Sequence, residues 1–435
     1  MHHRIVRTLP VRSTLALLAA GAAALLGSSA ASAGTTGPDV TVFDLPGTTN
    51  YGVSGGVRGY SVGTTSCNIG DTPLNWCALT NSSGCGGGTT RVDHPVIGQN
   101  IYRLKDGRFD QIGASWLKHG FTSLNQSASG CGDGSCAAPP LGGDQLGVGC
   151  TDPYSSGLNG SRPMGRKSEV NATTGVFPVP GGGGSTATVW NQRAAVAEAD
   201  LVAALNPGAR YFIEGQYIAP DDAQSGNGLN NASYREATVE AGTFNLQISL
   251  FNTVREKSAI EVWPVIDPTV ELVNVDVPSV PVERFHVARK VTNPSAGVWH
   301  YEYAVHNMNS ARAADRLAIR FFGATTFENI GFHDVNAHSN EPYDTADWGN
   351  TVTVDEVSWD SPAFSPAENA NAIRWANMYN FWFDADRPPT EIETHVLGLF
   401  EAGTPGEVEF LTNTNLIFVD GFGTGDSTAW SQTFP

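Results

Sequence analysis

The segment Phe332–Trp348 (FHDVNAHSNEPYDTADW) places His333, Asp334, His338, Glu341, Asp344 and Asp347 within fifteen positions. Imidazole nitrogen with carboxylate oxygen suits zinc, copper, iron or manganese, whereas the oxygens alone suit calcium. A loop can fold such donors onto one centre, and functional side chains gather on loops. The metal candidates are therefore His333, Asp334, His338, Glu341 and Asp344. Their spacing matches neither H-E-x-x-H nor an EF-hand loop. The competing reading is an acidic surface loop whose Asn and Asp residues make turns.

Four more histidines are weaker candidates. In WHYEYAVH (299–306), period-two alternation puts Trp299, Tyr301, Tyr303 and Val305 on one face, towards a core. His300, Glu302, Ala304 and His306 point the other way, either as a solvated polar face or as a source of ligands. His300 and His306 are six residues apart, roughly 20 Å along a strand, so both reach one ion only if the strand bends. His94 and His119 flank a hairpin in the first third of the chain. Each suits general-base or ligand chemistry, or hydrogen bonding to loops in a disulfide-rich module.

Nucleophile signals are thin. Gly52–Gly56 (GVSGG) satisfies G-x-S-x-G around Ser54, but the following VRGYSVG reads as strand where a nucleophile elbow needs a helix. Gly181–Gly184 lacks the Lys-Ser/Thr that completes a phosphate cradle, so it reads as a linker.

The elements that must position these groups are strands. Forty-nine glycines and 25 prolines punctuate a chain rich in Thr, Val and aromatics, which argues for many short strands. Ile101–Gly113 (IYRLKDGRFDQIG) predicts a hairpin turning at Asp106-Gly107. Further strands are expected at 39–45, 59–62, 209–218, 234–240, 244–251 and 259–265. An extended, proline-bearing connection is expected over 267–282. One helix is expected at Gln192–Leu205, Ala-rich and stopped by Asn206-Pro207-Gly208. Six or more short strands between 283 and 400 predict an antiparallel β-sandwich, immunoglobulin-like or jelly-roll. The expected layout is a signal peptide (1–33), a Gly/Cys-rich β region (34–180), a helix-plus-β segment (187–266), the sandwich (283–400) and a tail (401–435). The fold class is mainly β.

Arg4, Arg7 and Arg12 precede an apolar run from Leu15 to Leu26, and Ala31-Ser32-Ala33 follows. This is the pattern of a cleaved secretory signal, and it predicts a mature chain starting near Gly34. No later apolar run reaches the roughly 20 residues of a membrane span, so no integral segment is expected after signal removal. With the signal leave three of 25 basic residues and none of 43 acidic ones, which gives a net charge of −21. Such a surface repels a phosphate backbone, so nucleic acid is excluded as a partner. Cationic partners, or divalent metals held by carboxylates, fit that balance better, and the partner class expected is an extracellular polymer or surface.

Cys67, Cys77, Cys85, Cys131, Cys136 and Cys150 all lie within 84 residues. In an exported chain they predict three disulfides, with 15 connectivities open. Cys131–Cys136 is favoured as a local loop, since its four intervening residues include two glycines.

The segments SVGTTSCNIG (61–70), HPVIGQNIYRLKDGRF (94–109), SWLKHGF (115–121), GVGCTDPY (147–154), EGQYIAPDD (214–222), WHYEYAVHN (299–307) and IGFHDV (330–335) span most of the mature chain. Through them the chain resembles a group of uncharacterised exported bacterial β-rich proteins. The resemblance implies export and an extracellular β-rich build, and brings no activity with it. The tail FVDGFGTGDSTAWS (418–431) is similar to an F-x-D-G-F-E-x-G-D-x-S-x-W-S ending on exported bacterial proteins, with Gly423 in place of Glu and Ser427-Thr428 reversed.

The sequence thus leads to a secreted or cell-surface protein with a binding or structural role. The alternative is a secreted metal-dependent enzyme, a hydrolase or oxidase acting on an extracellular polymer through the His/Asp/Glu loop. A serine hydrolase built on Ser54 comes third.

Overall fold

The computed structural model describes residues 35–77, 93–178, 184–335 and 341–412. The expected signal peptide, Cys85, His338, most of the glycine linker and the tail motif lie outside the described residues.

The chain is mainly β, and its sheets are antiparallel. The expected sandwich is present and gains a strand at each end. One sheet runs Glu271–Val277, Glu283–Ser295, Val298–Asn307, Met378–Ala385, Phe327–His333. The facing sheet runs Gly349–Val352, Glu356–Asp360, Ala314–Phe321, Ile392–Leu399, Glu407–Phe410. Alternation supplies the filling: Tyr301, Tyr303, Val305, Phe381 and Phe383 meet Leu317, Ile319, Trp359 and Leu397 in one buried cluster. Each such side chain contributes about 1.5–3 kcal/mol on burial.

A third sheet is built around the predicted hairpin. Val96–Lys105 turns through Asp106 (φ 51°) and Gly107 (φ 84°) into Arg108–Ala114. Two successive positive φ values are what a tight hairpin requires, and Asp-Gly supplies them at little cost. Val96–Lys105 also pairs along nine residues with Arg210–Ile218. This sheet therefore draws strands from both sides of the boundary expected near residue 180.

The third sheet is buried on both faces. Ile97, Ile101, Ile213 and Tyr217 pack on Val40, Val42, Tyr60 and Val62. From the opposite face, Tyr102 and Phe212, with Phe109, meet Ala288, Ala304 and Met378 of the sandwich. That contact overturns the solvated reading of the even-numbered face of WHYEYAVH. Glu302, Ala304 and His306 are buried between two sheets.

Four other expectations are corrected. The helix at 192–205 is instead a strand, Ala194–Ala197, paired with Val57–Val62, followed by a single 3-10 turn at Glu198–Asp200. This strand packs closely on the hairpin: a Cβ on Gly113 would come within 2.7 Å of Val196 Cγ2 and 3.1 Å of the Ala195 carbonyl oxygen. Pairing and burial override intrinsic propensity there. Residues 259–265 form a 3-10 turn and a short helix, Ala259–Val262 and Trp263–Ile266, opened by a Ser258/Glu261 capping box. The connection over 267–282 contains the strand Glu271–Val277, with its prolines outside the paired residues.

The fourth correction concerns the cysteines. The bridges are Cys67–Cys131 and Cys136–Cys150, not Cys131–Cys136. Cys67 and Cys150 lie on the paired strands Thr64–Asn68 and Cys150–Tyr154. Each strand cysteine reaches out to one cysteine of the glycine-rich loop, so the loop is stapled to the sheet instead of to itself. Cys77 is also disulfide-bonded.

Candidate functional site

The acidic loop does not gather its donors. His333 ends the strand Phe327–His333, with Nε2 3.8 Å from Asp110 Oδ2. Asp334 accepts from Asn371 Nδ2 at 2.5 Å. Glu341 turns towards a different segment, accepting from the Lys167 amide and the Ser168 hydroxyl, both at 2.6 Å. Asp344 holds its own turn through the amides of Thr345 (2.7 Å) and Ala346 (3.0 Å). Burial raises the pKa of Asp334 and of Glu341, and their hydrogen bonds counter it. Among the described residues no group of three His, Cys, Asp or Glu side chains is arranged to hold a metal ion.

The weaker histidine candidates meet partners of their own. His94 Nε2 and His119 Nδ1 share a hydrogen bond of 2.9 Å, and both rings stand edge-on to Phe177. Burial is the largest cause holding their pKa values down, to about 4 for His94 and about 3 for His119. His300 Nδ1 bonds Asp384 Oδ1 at 2.6 Å, with Nε2 3.6 Å from Glu302. Glu302 in turn accepts two bonds from Arg108, whose guanidinium lies 3.8 Å over Trp382. The hydrogen bond to Glu302 is the largest of the causes that raise the pKa of His300. His306 packs against His286. Ser54 ends a strand that turns directly into the next, Ser54 facing Val57, so no elbow forms.

What sequence reading missed is a polar cleft of about 260 Å³ where residues 167–176 meet the sandwich loops; its wall includes Lys167, Ser168, Tyr343, Arg374, Trp375 and Glu401. Arg374 is only 8% exposed, with its guanidinium between the rings of Tyr343 (4.4 Å) and Phe400 (4.5 Å). Nη2 donates to the carbonyls of Glu368 and Ala370 at 2.7 and 3.3 Å. Nε is buried and has no acceptor. None of the ion pairs among the described residues includes Arg374. Lys167 closes the inner end: its carbonyl accepts from Trp375 Nε1 at 3.2 Å, and its ammonium lies 3.4 Å from Asn100 Oδ1. Burial lowers the pKa of Lys167 to about 8, against the pull of Glu341 and Glu214. These residues are scattered over more than 200 positions of the sequence, so no local spacing announces them.

A larger, apolar cleft of about 580 Å³ lies between 201–211 and 236–244. Of its charged members, Arg210 and Glu236 satisfy each other at 2.7 and 2.8 Å, and Glu240 accepts from the Thr243 hydroxyl, and from Asn245 Nδ2 at 3.0 Å. Of these two clefts, it is the polar one that holds a buried donor without an acceptor, at Arg374. No helix among the described residues is long and apolar enough to cross a membrane. Comparison with known proteins finds neither a matching family model nor a matching curated relative.

Proposed function

We propose that this is an exported extracellular or cell-surface protein with a binding role, its β layers presenting the Arg374 cleft to an isolated carboxylate group on an extracellular polymer or surface partner, since the net charge of −21 repels a polyanion. The observation that carries this reading is Arg374 itself. Glu401, in the same cleft wall, is close enough to interact with that charge but forms no ion pair with it, so a costly buried guanidinium is left incompletely matched. Here the flanking rings orient its planar fork, and a carboxylate is the group such a fork binds best. Tyr343, Ser168 and Trp375 add the aromatic and polar wall typical of a small recognition pocket. Export is supported by the basic, apolar and small-residue order of the first 33 residues and by the disulfides.

The test is an immobilised panel of uronic-acid glycans, neutral glycans and acidic peptides, probed with the wild-type protein and with Arg374→Gln. Binding confined to carboxylate-bearing ligands, and lost in the variant while its melting curve stays cooperative, is the expected result. Equal binding by both proteins, or no preference for acidic ligands, overturns the proposal.

A further inference from the structure

A second cluster lies where the segment Thr35–Val40 meets the loop 221–231, away from the Arg374 cleft and independent of it. Asp39 and Asp222 are fully buried. Asp222 Oδ1 accepts at 2.9 Å from the amide of Val40, the residue after Asp39, and the two carboxylates are close enough to interact electrostatically. Asn230 donates Nδ2 to Asp39 Oδ2 at 3.2 Å, and Asn231 donates Nδ2 to Asp222 Oδ2 at 2.7 Å. The hydroxyl of Thr35 also donates to Asp39 Oδ2. These bonds leave Asp39 Oδ1, Asn230 Oδ1 and Asn231 Oδ1 buried with no hydrogen-bond partner. Asp221 adjoins Asp222, and its Oδ2 is occupied by the Asn75 amide at 2.8 Å. None of the ion pairs among the described residues reaches Asp39, Asp221 or Asp222.

All three unpartnered atoms are acceptor oxygens, and two carboxylates are buried beside them with no basic side chain paired to either. Burial on those terms is costly for each group separately. One hard cation removes both costs at once, because it accepts oxygen lone pairs and balances the charge. A mixed set of carboxylate and amide oxygens suits calcium, whereas magnesium demands stricter geometry and gives up its waters reluctantly. Since half the side chains are asparagines, such a site needs no third His, Cys, Asp or Glu.

We propose that Asp39, Asp222, Asn230 and Asn231 form a calcium site that clips the segment Thr35–Val40 to the 221–231 loop. The two pieces are already joined by Asn227, whose Nδ2 donates to the carbonyls of Thr36 and Pro38 at 3.0 and 2.9 Å. The ion would turn a hydrogen-bonded contact into a cross-link between parts of the chain about 190 residues apart.

The experiment uses the full exported protein, stripped with chelator and then titrated with calcium or magnesium chloride by calorimetry and thermal melting. Expected are one tightly bound calcium per chain and a rise in Tm of roughly 3 °C or more at about 1 mM calcium, with little response to magnesium. Asn230→Ala should weaken calcium binding by about tenfold, and Asn230→Asp, which adds a carboxylate, should tighten it by about threefold or more. If the cluster is held by hydrogen bonds alone, Asn230→Asp only adds repulsion and calcium shifts neither protein. An identical Tm in calcium and chelator overturns the proposal. So does calcium uptake unchanged by both Asn230 substitutions, which would place the ion elsewhere on the acidic surface.

Discussion

His286 and His306, opposite each other on paired strands, stack in parallel with ring centroids 5.7 Å apart and planes 4° apart. They share the face that carries Ala288 and Ala304 against the hairpin sheet. His286 Nδ1 is 2.8 Å from Asn274 Oδ1, while its Nε2 and both nitrogens of His306 have no hydrogen-bond partner. Burial is the first cause that keeps both rings neutral. Arg284 and Lys257 add to it at His286, against Asp276, and His286 and Lys167 add to it at His306.

Acid should therefore weaken the fold through these rings. Their pKa values in the folded protein are lowered, to about 3 for His286 and well below the usual value for His306. As pH falls through about 6.5, the unfolded chain takes up protons that the folded chain does not, so stability is lost. Buried carboxyls work in the opposite sense. Asp152, raised to about 7 by burial, takes its proton earlier in the folded state and gains stability as pH falls. A variant comparison separates the two effects. Between pH 7 and pH 5, wild type should lose about 2 kcal/mol more than His306→Gln in urea titrations. Equal losses would mean that His306 titrates in the folded protein as it does in the unfolded chain.

The cysteine staples should be visible both chemically and thermodynamically. Non-reducing peptide mapping should recover Cys67 joined to Cys131 and Cys136 joined to Cys150. Chain-entropy arguments assign about 4 kcal/mol to the longer loop and about 3 kcal/mol to the shorter. Double Ala replacement at Cys67 and Cys131 should thus lower the urea midpoint more than replacement at Cys136 and Cys150. A peptide joining Cys131 to Cys136 would contradict the structure outright.

Gly331 sits against an indole. A Cβ there would lie 2.1 Å from the Trp382 ring, the same ring that supports Arg108 beneath its bond to Glu302. Gly331→Ala should cost about 1–3 kcal/mol in chemical unfolding, as other overpacked substitutions do. A neutral result would show that Trp382 has room to turn aside.

The capping box at Ser258 and Glu261 secures the turn that delivers Trp263 to the core. Ser258→Ala should cost about 1 kcal/mol, read from the same urea titrations. Little change would mean that packing of Trp263 fixes the turn without the cap.

Strands with clean alternation were legible, and so was the Asp106-Gly107 turn, because both signals are local. The Ala-rich segment at 192–205 misled because what makes it a strand, its pairing with Val57–Val62 and its packing on Gly113, lies far away in the sequence. The Ser258/Glu261 box is a local signal that the strand expected at 259–265 left out of account. The candidate site was hardly legible. His333, Asp334, Glu341 and Asp344 are neighbours in sequence, yet each bonds a different partner. The Arg374 cleft is assembled from distant segments, which spacing rules cannot detect.

The bonds that join the hairpin sheet to the sandwich have a kinetic consequence. Gln111 donates to the carbonyl of Ala376 and accepts from the amide of Met378, and Asn380 donates to the carbonyl of Phe109. These links span 265–271 positions. The hairpin can form within microseconds of its own synthesis, yet Gln111 exchanges water for its buried partners only when residues 376–378 arrive. Closing loops of that length before any reward is collected makes for slow, late-committing folding.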